Sequence, residues 1–338
     1  MRNILYIGKY TLGQTSRMRG ELLKEILMED NITVIDIDIP FFGAPRLFRS
    51  LAFKFKVGPL IGGINRYILR NIRLEYYDMI WVDKGIYLTV ETTKKLRSLT
   101  SKLVHFTPDP AFFYHKSNHF YKSIKLYDYA ITTKSFEIES YEQALGKSKV
   151  LYCTQGYDSL THKPFHKFSE KAGIVFIGHC EVDRELIMQE VLNSGIKLKL
   201  AGINWNRFLA KNIGNENLEF VGNGLYGEEY SRLISSGYLS IGLLSKYIPE
   251  EHTTRTFEIP ACGTALLTEE TSEIRSIFSD NEVYYFKKNI SLGEHIKDIL
   301  ADLNKLEKVT QNGMKKVQDG HYDYRSILQR ILNNISFK

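Results

Sequence analysis

The sequence has few cysteines and no long apolar run. Its three cysteines, Cys153, Cys180 and Cys262, stand far apart without C-x-x-C spacing. This argues against a disulfide framework and a structural zinc site, and it favours a reducing, cytoplasmic setting. No run reaches the roughly 18 apolar residues of a spanning helix, and the run before Lys9 is too short for a signal peptide. We expect a cytoplasmic protein that at most lies peripherally on a membrane.

Acidic residues are missing from one stretch of the first half. Residues 1–170 hold 25 Lys and Arg against 17 Asp and Glu, whereas the remainder holds 20 against 22. The overall net charge of +6 is too small to indicate a nucleic-acid partner. No acidic residue lies between Asp38 and Glu75. The basic residues of this stretch are Arg46, Arg49, Lys54, Lys56, Arg66, Arg70 and Arg73.

Residues 46–73 allow two interpretations. In NRYILRNIRL, the three arginines recur at i, i+4 and i+7, while Ile68, Leu69 and Ile72 fall on the opposite helical face. One interpretation is a surface helix that packs its apolar face inward. The other is a basic and aromatic surface, with Phe48, Phe53 and Phe55, that contacts anionic lipid.

Short β-branched or aromatic runs alternate with helical stretches, which predicts an α/β fold with parallel sheets. Five strands and a short sixth fall before a polar linker, and a second series begins at GIVFIG. We expect two facing Rossmann-like domains, residues 1–160 and 161–320. Ligands of such sheets bind beyond the carboxyl ends of the strands.

The common phosphate-binding loops are absent. Neither first strand is followed by G-x-G-x-x-G, and the loop GKYTLGQTS has Gln14 where a P-loop needs lysine. An NTPase is therefore disfavoured. We expect Thr15 and Ser16 to cap the next helix, whose start offers N–H groups to a polar ligand. If the protein transfers a group, the residues expected to face the acceptor are Gly13, Gln14, Thr15, Ser16 and Arg17.

Two carboxylate patterns stand in the first half. Asp36 and Asp38 form a D-x-D, which holds a divalent metal in one class of glycosyltransferases. Here the pattern ends a strand, where the two side chains share a face, so we favour a structural role or a ribose contact. Asp109 lies between two prolines beyond the fourth strand. Proline restricts the backbone, so Asp109 suits a general base; the alternative is a turn cap.

The most informative segment is GLLSKYIPEEHTTRTFEIPACGTALLT. Thr253 or Thr254 is expected to cap a short helix that ends before Gly263. A helix start beside Arg255 predicts a diphosphate site. Glu258 follows one turn later, where a carboxylate can accept hydrogen bonds from a ribose diol.

The string Glu258-Ile-Pro-Ala-Cys-Gly263-Thr264 resembles the E-x-x-A-C-G-T segment of glycosyltransferases with the two-domain GT-B fold. Three segments are similar to the spore-maturation-protein group of that superfamily: residues 255–263, IRSIF and HYDYRSIL. The resemblance covers about residues 170–335, and the first domain matches in layout only. It also implies that residues 321–338 cross back onto the first domain.

In that family the second domain binds a nucleotide sugar, which assigns the ribose to Glu258. Lys246 and Arg255 match basic positions that neutralise the leaving diphosphate without a metal. The usual Gly-Phe-Gly after the first glutamate of the motif, Glu250, is replaced here by residues 251–255. The expected donor-binding residues are Gly178, His179, Arg184, Lys246, Glu250, His252, Thr253, Thr254, Arg255 and Glu258, and the expected catalytic residues are Asp109, Lys246 and Arg255.

These observations predict a metal-independent glycosyltransferase without a cofactor. It moves a sugar from a nucleotide donor to a hydroxyl of a glycan, a lipid-linked glycan or a protein, in bacterial surface polysaccharide or glycoconjugate synthesis. One alternative is a nucleotide-sugar epimerase or hydrolase of the same layout. Another is a non-catalytic module that binds nucleotide or glycan.

Overall fold

The computed structural model describes every residue except Leu74, His115, Lys288 and Lys338. The chain divides into two compact units. Unit 1 comprises Met1–Thr154 and Arg325–Lys338, and unit 2 comprises Gln155–Tyr324. Each unit contains a six-stranded sheet in which every pairing is parallel, so the predicted α/β fold with parallel sheets is confirmed.

The sheet of unit 1 has the order β2-β1-β3-β4-β5-β6. Its strands are β1 (Asn3–Gly8), β2 (Asn31–Asp36), β3 (Met79–Asp83), β4 (Leu103–Thr107), β5 (Tyr129–Thr132) and β6 (Val150–Tyr152). Its first helices are α1 (Thr15–Ile26), α2 (Asp38–Phe42), α3 (Arg46–Phe55), α4 (Pro59–Asn71), α5 (Val90–Arg97), α6 (Asn118–Ser123) and α7 (Ile138–Leu145). All residues of β3 and β4 are buried, as expected for central parallel strands covered on both faces.

The sheet of unit 2 has the order β12-β11-β10-β7-β8-β9. Its strands are β7 (Ile174–Ile177), β8 (Leu198–Ala201), β9 (Leu218–Gly222), β10 (Leu239–Gly242), β11 (Ala265–Thr268) and β12 (Tyr284–Tyr285). Its helices are α8 (Arg184–Asn193), α9 (Asn206–Lys211), α10 (Gly227–Ser235), α11 (Arg255–Ala261), α12 (Ser272–Ile277), α13 (Leu292–Leu300) and α14 (Leu303–Asp319). Among the described residues, no helix combines the length and apolarity needed to cross a membrane.

The C-terminal segment packs in unit 1. It contains α15 (Tyr324–Asn334), whose Arg325 forms an ion pair with Glu25 of α1. The ammonium of Lys102 donates a hydrogen bond to the Ile335 carbonyl at 2.6 Å, and Phe337 is buried. These contacts tie the last turns of the chain to the first unit.

A buried ion pair joins α1 to the end of β3. The Arg19 guanidinium donates hydrogen bonds to both Asp83 carboxylate oxygens at 2.8 and 3.0 Å, and neither side chain is exposed to solvent. The Tyr6 hydroxyl lies 3.1 Å from the same carboxylate, and burial together with that charge raises the pKa of Tyr6. Two charges removed from water in this way are stable only while both partners are present.

Two predictions about the first loops were wrong. Gln14 occupies the cap position of α1 without a side-chain hydrogen bond, so neither Thr15 nor Ser16 caps the helix. The Ser16 hydroxyl instead lies 3.1 Å from the Tyr6 hydroxyl, because Ser16 is buried against β1. Asp36 and Asp38 do not share a strand face, because β2 ends at Asp36, whose carboxylate accepts a hydrogen bond from the Asp38 N–H.

Residues 46–73 form the two helices α3 and α4. Ile64 and Ile68 of α4 are fully buried and Ile72 is 8% exposed, so this helix packs an apolar face inward. Leu69 was expected on that face, but it is 42% exposed because it lies at its edge. The inward-packing interpretation therefore describes α4.

Replacing Arg19 with methionine is expected to lower the free energy of unfolding of unit 1 by about 3–5 kcal/mol, because Asp83 is left charged, buried and unpaired. Urea unfolding followed by tryptophan fluorescence measures this, since Trp81 lies in β3 of unit 1 and Trp205 in unit 2. The transition reported by Trp81 should move to lower urea.

The matched control is Lys24→Met in the same helix. Lys24 pairs with Glu21 while both side chains are well exposed, so its loss should cost less than about 1 kcal/mol. Similar shifts for the two variants would contradict the role given to the buried pair.

Candidate functional site

The carboxyl edge of the unit 2 sheet gathers most of the expected ligand-binding residues. Strands β7, β10 and β11 are neighbours, so the loops that follow them emerge side by side. The Leu244 N–H after β10 donates to the Glu269 carboxylate after β11 at 3.0 Å. The Ser245 hydroxyl lies 3.4 Å from a Glu181 carboxylate oxygen after β7. Hydrogen bonds therefore hold the three loops together.

Arg184 holds the loop after β7 in place. It is 5% exposed, donates to the His179 carbonyl at 2.9 Å and lies 3.3 Å from the Glu181 carboxylate. Burial lowers the pKa of its guanidinium, which stays cationic because the ordinary value is so high. Arg184 therefore positions the loop, while the His179 side chain is exposed.

Glycines allow this loop to pack closely. The Gly178 carbonyl accepts a hydrogen bond from the Trp205 indole N–H at 2.8 Å. A Cβ atom on Gly202 would lie 2.0 Å from the same carbonyl oxygen, and Gly202 has a φ of +134°. Only glycine fits at position 202, and its missing side chain lets the loops after β7 and β8 approach each other this closely.

The loop after β10 carries two charged residues that already have protein partners. The Lys246 ammonium forms an ion pair with Glu269 and is half exposed. Glu250 accepts a hydrogen bond from the Ser245 N–H at 3.2 Å. An anionic ligand at Lys246 must therefore compete with Glu269, a residue for which the sequence pattern gave no signal.

The start of α11 differs in detail from the expected cap. Thr254 occupies the cap position but its hydroxyl makes no capping hydrogen bond, and the buried Thr253 instead donates its N–H to the Thr256 hydroxyl at 3.1 Å. Arg255 donates to the Leu243 carbonyl at 3.3 Å. Its buried Nε has no hydrogen-bond partner among the described residues. Because α11 has only seven residues, the cationic side chain matters more here than the helix dipole.

Glu258 of α11 is nearly buried, with 9% of its surface exposed. One oxygen accepts a hydrogen bond from the Tyr230 hydroxyl at 2.6 Å, and the other lies 3.8 Å from Nε2 of His162. The His162 Nδ1 accepts the Asp158 N–H at 2.9 Å, so a neutral ring carries its proton on Nε2.

Tyr230 remains a hydrogen-bond donor over the working pH range. Burial and the Glu258 charge raise the pKa of its hydroxyl well above the ordinary value. Tyr230 and His162 come from distant segments, so the local motif around Glu258 could not reveal them.

His252, which was expected to contact the donor, has protein partners at both ring nitrogens. Its Nε2 accepts the Gln155 N–H at 2.9 Å, and its Nδ1 lies 2.5 Å from the Glu273 carboxylate. The residue is 2% exposed. Both ring nitrogens are thus engaged with protein partners, and His252 links the start of unit 2 to α12; its contact with the donor stays a prediction.

The carboxyl edge of the unit 1 sheet carries a second polar group. Asp109 follows β4 and forms an ion pair with Lys84, which follows β3 in the left-handed region at a φ of 56°. The Thr107 hydroxyl accepts the Asp109 N–H at 3.2 Å, which adds to the restriction by the flanking prolines. Nearby, the Lys9 ammonium lies 3.8 Å from Asp38, and burial lowers the pKa of Lys9.

The residues expected on the acceptor side lie in the loop before α1 and in the first turn of this helix. Gly13 and Thr15 are exposed, and Gln14 and Arg17 are half-buried. Gly13 has a φ of +85°, which a larger residue would adopt at a cost. Ser16 is 4% exposed, so its hydroxyl is withdrawn from a ligand.

A cavity of about 640 Å³ lies in unit 2 beside β12 and α13. Its lining includes Tyr284, Phe286 and His295. None of the expected donor-binding residues lines it. The cavity and the polar group at Glu258 are therefore separate features of unit 2.

Solved structures similar to this chain share its fold. A sucrose-phosphate synthase from Thermosynechococcus elongatus is 14% identical with a TM-score of 0.67, over 100% of this chain and 99% of that one. HepE of Anabaena, in complex with UDP-glucose, is 13% identical with a TM-score of 0.62, over 99% and 100%. MnaA of S. aureus, in complex with UDP, is 13% identical with a TM-score of 0.60, over 100% and 98%.

In sequence, no curated protein is similar to this chain. A model of the glycosyl transferase-like family matches residues 184–333, which includes α8, the loop after β10 and α11. The match does not distinguish the spore-maturation-protein group. Residues 184–333 thus match the glycosyl transferase-like family, and the chain as a whole has the GT-B fold.

Proposed function

We propose that this enzyme transfers a sugar from a UDP-sugar, bound by unit 2, to a hydroxyl of a glycan or lipid-linked glycan in bacterial surface polysaccharide or glycoconjugate synthesis. A hydroxyl of a protein is the third acceptor that we consider. The reaction would take place in the cytoplasm, at the inner face of the membrane for a lipid-linked acceptor. The uridine assignment is supported by HepE and MnaA, which have been solved with UDP-glucose and UDP.

The observation that carries the proposal is the environment of Glu258. A carboxylate has about four lone-pair sites, and Tyr230 uses one of them. The remaining sites can accept both hydroxyls of a ribose diol. A nearly buried carboxylate is costly unless hydrogen-bonded, so a site with spare acceptors suits a neutral polyol ligand.

Departure of the nucleoside diphosphate requires positive charge at the leaving oxygen. We assign this to Arg255 and Lys246, with loop N–H groups and without a metal ion. Each such preorganised contact is typically worth about 3 kcal/mol, or roughly two to three decades of rate. Lys246 would exchange Glu269 for the diphosphate, so the donor replaces an existing ion pair.

Asp109 is proposed as the base that takes the proton of the acceptor hydroxyl, if the reaction inverts the anomeric centre. Its ion pair with Lys84 and the two flanking prolines hold the carboxylate in place, which a base requires. If the anomeric configuration is retained, the leaving phosphate can take the proton, and Asp109 has no such role.

Glu258→Ala is expected to weaken UDP binding about 10- to 100-fold, because hydrogen bonds to a charged acceptor are worth about 1.5–3 kcal/mol. Titration calorimetry with UDP measures this. The control is Glu228→Ala on α10, since Glu228 pairs with Arg232 at the exposed surface. Unchanged affinity in the Glu258 variant, with native circular dichroism, would refute the ribose assignment.

A turnover assay with the purified protein tests the class of reaction. Incubation with a UDP-sugar in EDTA should release UDP only when an acceptor is added. A free sugar or an epimer formed without acceptor would favour the hydrolase or epimerase alternative. Tight nucleotide binding without turnover across donors and acceptors would favour the binding module.

Tyr230→Phe is expected to weaken UDP binding about threefold to tenfold, because it removes one hydrogen bond that orients Glu258 and retains the ring. The loss should be smaller than that of Glu258→Ala and should nearly vanish in that background. Additive losses in the double variant would show that Tyr230 acts independently of Glu258.

Asp109→Asn is expected to lower kcat about 100-fold or more while leaving UDP affinity unchanged, because a carboxamide cannot take a proton. Initial rates and product stereochemistry decide the outcome. Full turnover in the variant, or a product with retained configuration, would remove the base assignment. Asp128→Asn provides the control, because Asp128 follows a helical turn and accepts the Leu103 N–H at the opposite end of β4.

A further inference from the structure

The cavity beside β12 and α13 has no part in the proposed reaction. Its volume of about 640 Å³ lies within the range of pockets that hold small organic ligands. The described residues that line it include none of those assigned to the donor or to the acceptor side. It borders β12, which stands at the edge of the unit 2 sheet beside β11. The space is therefore a second candidate site for a ligand.

His295 supplies a buried polar atom to this cavity. This residue of α13 lines the space and is 3% exposed. Its Nδ1 has no hydrogen-bond partner among the described residues. Burial and the charge of Lys287 lower the pKa of His295, so its neutral ring offers one donor and one acceptor nitrogen. A buried polar atom without a partner is costly, and a ligand that bonds to Nδ1 removes that cost.

Two aromatic rings line the same cavity. Tyr284 of β12 and Phe286 just beyond it are half-buried. The Phe286 N–H donates to the Thr268 carbonyl at 2.9 Å, which continues the pairing with β11, so the two rings lie on one face of the sheet. Burial and the charge of Asp302 raise the pKa of Tyr284 to about 12, so its hydroxyl remains a donor. Ring faces carry partial negative charge and attract polarised C–H groups such as those of a sugar ring.

The charges around the cavity nearly balance over the described residues. Arg275 forms ion pairs with Glu270 at 2.9 Å and with Asp280 at 2.8 Å. The other charged residues of the lining are two exposed cations and two exposed carboxylates: Lys287, Lys305, Asp298 and Asp302. A phosphate group finds no excess of positive charge here, whereas the hydroxyls of a neutral ligand can donate to the exposed carboxylates.

We propose that this cavity binds a neutral sugar unit of a glycan chain, as a carbohydrate site separate from the donor and acceptor positions. The Tyr284 and Phe286 rings pack on the sugar ring, and His295 and Asp298 bond to its hydroxyls. A hydroxyl both donates and accepts, so it satisfies the His295 Nδ1 in either tautomer. The choice of a glycan rests on the proposed function, in which a glycan is the acceptor. A second site on the chain keeps the glycan near the enzyme between transfers, because a tethered ligand has a high effective concentration.

The first test is a ligand-observed NMR titration of the full chain with three neutral tetrasaccharides. The probes are maltotetraose, cellotetraose and tetra-N-acetylchitotetraose. At least one of them should bind, and its binding should persist when UDP is present in excess. Absence of binding by all three would refute the proposal.

Two substitutions locate the bound tetrasaccharide. His295→Phe keeps a ring in the buried position and removes its nitrogens, so affinity should fall about fivefold to tenfold through the loss of one hydrogen bond. Asp298→Ala changes an exposed side chain, which protects the fold, and should weaken binding about threefold or more. The matched control is Glu294→Ala on the same helix, because Glu294 is exposed and is not part of the described lining. Its affinity should equal that of the native chain.

Three results would overturn the second carbohydrate site. They are an equal loss in the Glu294 control, full affinity in both cavity variants, and loss in Asp109→Asn while the cavity variants bind normally. The last result would place the tetrasaccharide at the acceptor position. Tighter binding of tetragalacturonate than of the neutral probes would overturn the choice of a neutral ligand.

UDP titration of the same variants separates this proposal from the proposed function. The His295 and Asp298 variants should bind UDP as the native chain does, because neither residue lies among those assigned to the donor. A native chain that binds a tetrasaccharide in the cavity but does not bind UDP would contradict the proposed function alone.

Discussion

Parallel pairing of the strands decides where chemistry can occur in this protein. Because all strands of a unit run in one direction, their carboxyl ends lie on one edge, and the following loops can meet there. Asp109 and Lys84 follow adjacent strands of the first sheet. Arg184, Lys246 and Arg255 follow neighbouring strands of the second. The side chains that the sequence separates by tens of residues are thus assembled by the sheets.

Three of the charged groups at the two edges already have protein partners. Lys246 has Glu269, Arg184 has Glu181 and Asp109 has Lys84. Matched pairs keep each loop in shape without the ligand, and they reduce the cost of holding ionised groups near the protein surface. A charged ligand at these edges would exchange partners with them, which favours ligands whose anionic groups replace a carboxylate.

The regular part of the fold follows from local pattern. The strands coincide with short apolar runs, many of them β-branched or aromatic, and Glu258 could be proposed because its helix carries a contiguous motif. What escaped prediction depends on distant contacts: Tyr230 and His162 reach Glu258 across the unit, and His252 turns inward onto Gln155 and Glu273. The predicted cap of α1 was wrong for a related reason, because Ser16 is buried against Tyr6 and does not cap the helix.

The return of the C-terminal segment to unit 1 affects the order in which the units can be completed during synthesis. Unit 2 is continuous in sequence, so all its strands and helices are available once residue 324 has left the ribosome. Unit 1 must wait for α15, and until then Lys102 lacks its Ile335 partner and the place of Phe337 stays open. Unit 1, which is translated first, is therefore the last to obtain all its residues.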